Sequence, residues 1–192
     1  TNNGTLNIDL PQGTAPEDKA TAIRYLAGTE SDAVVNTGTD KDVIITLLNE
    51  TSAEPGKPGN TAYAGSILGS ARLVKDGERK LTIDGRITAS ALDVHQGELV
   101  LQNRAESSII SGTLNVERDA ALTLNSASLA AADLTGSGSI TLAGGALLTI
   151  SRETLSDLTL NASITGAGTL KLGNCNLVLT TGSNLGENVL LH

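Results

Sequence analysis

The sequence predicts an all-β protein, a right-handed parallel β-helix (a solenoid) with one short N-terminal helix. Three observations predict it. A Leu-x-aliphatic phrase returns at an interval of solenoid size. The phrase alternates apolar with other residues, the period of a strand buried on one face. And the 192 residues contain no Phe, Trp or Met and only 2 Tyr, so any interior must be filled by Leu, Ile, Val and Ala, which suits a narrow core. A two-sheet β-sandwich is the alternative, because Leu-x-Leu strands joined by Gly turns serve there too.

Residues 1–80 read as a β-rich N-terminal module continuous with the solenoid. "NGTLNIDLPQG" (3–13) is a strand with Leu6, Ile8 and Leu10 on one face. A helix is expected over 16–27, where Pro16 suits a first turn, Glu17 and Asp18 favour its positive end, and Gly28 suits a stop. Ala20, Ile23 and Ala27 would share its apolar face. "AVV" (33–35) and "VIITLL" (43–48) read as strands around a polar turn, and 49–66, with its Pro and Gly, as a loop. "ARLV" (71–74), "KLTID" (80–84) and "RIT" (86–88) are strands leading into the repeats.

Residues 81–192 read as rungs. The paired phrase occurs with Leu92, Val94, Leu99 and Leu101, and again with Leu114, Val116, Leu122 and Leu124. It returns with Ile140, Leu142, Leu148 and Ile150, then with Leu170, Leu172, Leu177 and Leu179. Leu114, Leu122, Ile140 and Leu170 are expected to point inward and stack. The links "HQG", "AGG" and "GNCN" carry the Gly and Asn that tight corners need. A third apolar patch follows each pair, at Ile109–Ile110, at Leu129 and Leu134, and at Leu158 and Leu160, which makes three short strands per turn. "SRETLSD" (151–157) reads as an excursion from a corner, and Val189–Leu191 as the start of another rung. A chain that starts at Thr1, contains no Met and ends on an open rung is expected to be a piece of a longer protein that continues past His192.

The phrases "GAGTLKLGNCNLVLTTGSN" (166–184) and "GSGSITLAGGALLTI" (136–150) resemble autotransporter passenger domains, and more closely the autotransporter-associated β-strand repeat. The likeness covers about residues 90–190. It implies a structural or adhesive passenger segment of a secreted or outer-membrane-displayed bacterial surface protein. The implied partners are a host surface protein or glycan, or other copies of the chain. The implied location is extracellular, with membrane contact only through segments outside this chain. The family carries no universal catalytic motif, so no catalytic, cofactor-binding or metal residue is assigned and no cofactor is expected.

Composition narrows the function classes. A net charge of -8, a pI near 4.7 and scattered basic residues oppose nucleic-acid binding, which needs clustered Lys and Arg. No apolar run reaches the ~18–20 residues of a membrane-spanning helix. One cysteine, Cys175, permits no internal disulfide. Asp93 and His95 would share one strand face opposite Leu92 and Val94. Without a nucleophile motif such as Gly-x-Ser-x-Gly they read as polar residues on a solvated face. Glu30, Asp32, Asp40 and Asp42 could supply hard oxygen ligands to calcium, but no known calcium-loop spacing accompanies them, which favours a solvated acidic turn. Asp76-Gly77 and Asp84-Gly85 read as turns, and Cys175, with only Lys171 near, as a small structural residue. The other class left open is an enzyme, either a polysaccharide-active β-helix or the stalk of a surface protease. Grouped acids in a groove would favour it.

Overall fold

A computed structural model describes residues 4–8, 19–49, 59–102, 107–180, 184–185 and 190–191. Their strands stack rung upon rung in chain order. The first rung holds β1 (Thr5–Asn7) and β2 (Ala20–Ile23). The second holds β3 (Val34–Asn36), β4 (Ile44–Leu48) and β5 (Thr61–Tyr63). The third holds β6 (Ser66–Leu68), β7 (Arg72–Asp76) and β8 (Lys80–Ile83). β9 (Thr88–Ala89), β10 (Ala91–Val94) and β11 (Gly97–Gln102) form the fourth. Thereafter one long strand bends around a corner and covers two faces. The pairs are β12 (Ser108–Val116) with β13 (Ala120–Asn125), and β14 (Ser128–Gly136) with β15 (Ser139–Ala143). β16 (Leu147–Leu160) with β17 (Ser163–Gly166) and β18 (Thr169–Leu179) with β19 (Asn184–Leu185) follow, then β20 (Leu190–Leu191).

Every strand pair is parallel. One ladder runs from β2 to β20, a second from β5 to β19, and a third begins as β1-β3-β6. The third passes through an Ile67–Ile87 bridge into β9 and the first half of β12. Each rung after the first gives one strand to the seven-stranded second ladder, and the chain is a parallel β-solenoid of about seven turns.

The parallel register stacks like residues on like. Leu81, Leu99, Leu122, Ile140 and Ile164 form one inward column. Leu73, Leu92, Leu114 and Leu134 form another, and Leu129, Leu148 and Leu170 a third. All are at most 2% exposed. Each buried Leu or Ile contributes roughly 1.5–3 kcal/mol, which is how a core with one aromatic ring, Tyr63, holds together. The four inward residues expected from the sequence, Leu114, Leu122, Ile140 and Leu170, are each 0% exposed. The excursion after Ser151 is also present. Ser151 pairs with Gly173 and Ser156 with Cys175, so residues 152–155 bulge out of the ladder.

Three expectations are corrected. First, the helix over 16–27 is absent where it can be seen. Residues 20–23 are strand β2, paired from Ala20↔Ile44 to Ile23↔Leu47, and residues 16–18 lie outside the described residues. A helix this short nucleates at a cost, whereas the edge of β4 offers every backbone group a ready partner. Second, the expected loop 49–66 contains β5 and the start of β6, because Thr61 and Tyr63 alternate inward and Tyr63 is fully buried. Residues 50–58 of that loop lie outside the described residues. Third, the repeat shifts face. Ile140 and Leu142 stack on Leu122 and Leu124, not on Leu114 and Val116. Leu148 and Ile150 then stack on Leu129 and Ala131. All three faces carry the same Leu-x-aliphatic phrase, so the phrase does not tell one face from the next.

Two smaller outcomes follow. Leu6 is 42% exposed while Ile8 packs on the core, and Leu10 lies outside the described residues. Leu190–Leu191 pair with Thr169–Leu170 as the start of a further rung, and Val189 lies outside the described residues.

Candidate functional site

The corner between the first and second ladders is where polar groups converge. Each inward-stacked strand there gives way to a short polar turn, and the backbone of that turn bonds to the rung before it. His95 N donates to Lys75 O at 2.9 Å, Glu117 N to Val94 O at 2.9 Å, Gly138 N to Val116 O at 3.0 Å, and Thr180 N to Leu160 O at 3.2 Å. Glycine lets the turns approach. Gly97 sits at φ +66°, and a Cβ on it would lie 2.6 Å from both Gly77 O and the Glu78 carbonyl carbon. Gly136 also has a positive φ, +92°.

Two shallow clefts follow from this close approach. One, of about 420 Å³, is walled by Glu78, His95, Glu117 and Asp119 over Gln96 and Gly97. The other, of about 640 Å³, is walled by Ser137, Asn161 and Thr180 over Gly136. Arg118 lines both, so the two clefts lie end to end along the solenoid axis, and together they are termed the corner trough. Inside the first cleft, His95 Nε2 stands 3.7 Å from Glu117 Oε1, an ion pair when the ring is protonated.

Beneath this end of the trough lies Lys75, which is 0% exposed. It takes the inward position of its column, between Leu47 and Val94. Its ammonium donates to three backbone carbonyls, Asp76 O at 3.1 Å, Gly77 O at 2.7 Å and Gln96 O at 3.0 Å. It thus ties two successive corners together. Burial pushes its pKa down to about 8, against the smaller opposing pull of Asp76. Asn49 completes this corner. It is 3% exposed and donates to Lys80 O at 2.6 Å, while its Oδ1 is buried without a hydrogen-bond donor.

The structure separates Asp93 from His95. His95 follows the end of β10 and faces the trough, whereas Asp93 is 4% exposed and accepts from Arg72 Nε at 2.6 Å. The expected solvated carboxylate is therefore a buried one, and its hydrogen bond raises the Arg72 pKa. The carboxylates of 29–42 split between two turns on either side of β3. Asp40 takes Lys19 at 2.8 Å and the Asp42 amide at 2.9 Å. The Lys19 contact is the main cause holding Asp40 below its ordinary pKa. Glu30 instead accepts from Thr29 and caps the turn into Ala33. Among the described residues no group of three or more His, Cys, Asp or Glu is placed to hold a metal. Asp76 Oδ1 accepts from Gly77 N in a turn with φ +86° at Gly77. Asp84 N bonds to Tyr63 O. Cys175 is half-buried against the core, and Lys171 is exposed earlier on the same strand, β18.

Sequence reasoning passed over Lys75, Glu78, Glu117, Arg118 and Asp119. The signal was present. "DGER" (76–79), "HQGE" (95–98) and "ERDA" (117–120) each begin one residue after the stacked positions Lys75, Val94 and Val116. Comparison with known protein families, with curated proteins and with solved structures returns no match.

Proposed function

We propose that this chain is a structural and adhesive segment of a secreted or outer-membrane-displayed bacterial surface protein. One observation carries the reading: parallel pairing joins rung to rung from β2 to β20 around a shared aliphatic core. Such stacking makes a stiff, quasi-one-dimensional body whose outer surface is free to vary. Polar pairs link the rungs on that surface, as in Lys19–Asp40 and Lys80–Glu98, and the resemblance of residues 90–190 to passenger repeats supplies the setting. The partners are a host surface protein or glycan, or other copies of the chain, and the membrane is reached only through segments outside it.

The test is to fuse the chain to an outer-membrane anchor on a non-adherent bacterium. Attachment to epithelial monolayers, to immobilised matrix proteins and to immobilised glycans is then counted. Attachment above that of the anchor alone is expected on at least one surface, and attachment equal to the anchor alone on all of them overturns the reading.

The second reading, a polysaccharide-active enzyme, is favoured by one observation, the grouping of Glu78, His95, Glu117 and Asp119 in a cleft. Paired carboxylates are what glycoside hydrolysis requires. Release of reducing ends or of unsaturated products from a polysaccharide panel, abolished by His95→Ala or Glu117→Gln with the circular dichroism unchanged, would establish this reading over the first. The stalk of a surface protease, also left open by the sequence, calls for no cleft and gains nothing from this one.

A further inference from the structure

We infer that the corner trough is a binding site for an extended neutral glycan lying parallel to the solenoid axis. The inference rests on the adhesive reading and says where on the rod, and to what chemistry, the chain adheres. Length comes first. The trough crosses the corners at Glu78, Gln96, Arg118, Ser137, Asn161 and Thr180. These are six successive rungs, about 24 Å at roughly 4.8 Å per step, so the shape fits a chain and not a compact ligand.

Chemistry then selects the chain. A peptide that binds by strand addition needs an open backbone edge. The corner amides of His95, Glu117, Gly138 and Thr180 are already bonded to the preceding rung. A polyanion, whether nucleic acid or uronate, meets the carboxylates of Glu78, Glu117 and Asp119 against the single guanidinium of Arg118. A lipid chain finds carboxylate, amide and hydroxyl groups along the walls instead of apolar ones. What remains matched is a chain of hydroxyls. Carboxylates accept from them, Arg118, Gln96 and Asn161 donate to them, Ser137 can do either, and Thr180, whose hydroxyl donates to Leu160 O, can accept. The groups recur once per rung, which suits a ligand that also repeats. Lys75 acts from beneath as a positioning residue. By tying Asp76, Gly77 and Gln96 together it holds the walls of the acidic end at a constant separation.

Affinity electrophoresis of the folded chain tests this. The gels contain dextran, laminarin, galactomannan or hydroxyethyl cellulose, with heparin and polygalacturonate as anionic comparisons. Retardation by at least one neutral polymer is expected, and neither anionic polymer should retard the chain. The Arg118→Ala/Asn161→Ala and Ser137→Arg variants change exposed side chains and should keep the parent circular dichroism. Each should weaken binding about tenfold or more, the scale of one or two lost hydrogen bonds. Ile109→Ser, on the third face, should bind as the parent does. Equal weakening by Ile109→Ser, unchanged binding in both trough variants, or retardation by none of the neutral polymers overturns the inference. Unchanged binding in the trough variants alongside normal bacterial attachment would sink the trough and leave the adhesive reading standing.

Discussion

Lys75 shows at the scale of one residue what a narrow core does to a charge. It stands where neighbouring rungs place Leu47 and Val94, and three carbonyls satisfy its ammonium without neutralising it. Desolvation moves its pKa from 10.5 to about 8. Between those two values the folded chain has released the proton while the unfolded chain still holds it, so stability rises with pH across that window. We expect the Lys75 contribution to the denaturant midpoint to rise from pH 8 to pH 10. That rise should be missing in Lys75→Met, whose profile records only the other groups. A parent and variant with parallel profiles would show that Lys75 titrates as it does in water. Asp93 carries the complementary lesson. Removing its partner in Arg72→Ala leaves a buried carboxylate short of a donor and should cost about 1–3 kcal/mol. Removing both in Arg72→Ala/Asp93→Ala should cost less than the two single changes added together, a coupling that a double-mutant cycle by urea unfolding reads directly.

At the scale of the element, corners decide more than strands do. Gly97 and Gly145 both sit at positive φ, +66° and +78°. Only Gly97 is crowded, since a Cβ at Gly145 meets nothing within 4 Å. Ala at either position incurs the left-handed penalty of roughly 1–2 kcal/mol. Gly97→Ala should incur more, because the turn at Glu78 must also move. Equal midpoints for the two variants in thermal unfolding would show that the corners yield more freely than their spacing implies. The excursion at 152–155 is held by a different device. Arg152 pairs with Asp133 on the preceding rung and donates to Ser156 Oγ at 3.0 Å and Asp157 O at 2.6 Å. The bulge therefore projects Leu155, 71% exposed, from an anchored base.

For the whole molecule, cohesion is a sum over neighbouring rungs. Leu122 lies mid-column between Leu99 and Ile140. Leu122→Asp buries an unpaired charge, which costs far more than a lost methyl group, and it does so in the column that packs each rung on the next. The variant should lose its β-sheet circular dichroism at temperatures where the parent is folded, whereas Leu155→Ser should melt as the parent does. A Leu122→Asp chain with the parent melting curve would show that the column is not what joins the two halves of the rod.

The sequence by itself determined the architecture. Leu-x-aliphatic spacing, Gly-rich links and an interior almost without large rings left a stack of short strands as the simplest way to bury Leu114, Leu122, Ile140 and Leu170, and the strands at 34–35, 44–48, 72–74 and 80–83 were legible too. Tertiary structure decided the rest, because the deciding contacts join residues about one turn apart. Ala20–Ile23 has a helical and a strand-like pattern at once, and only the edge of β4 resolves it. The phrase at 140–150 fits any face, and only the ladder onto Leu122 and Leu124 selects one. Asp93 and His95 are neighbours in sequence, yet their partners, Arg72 and Glu117, lie on the rungs before and after. The trough is not written in any one phrase. It exists because Glu78, Gln96, Arg118 and Ser137, each unremarked in its own turn, fall at the same corner once the rungs stack.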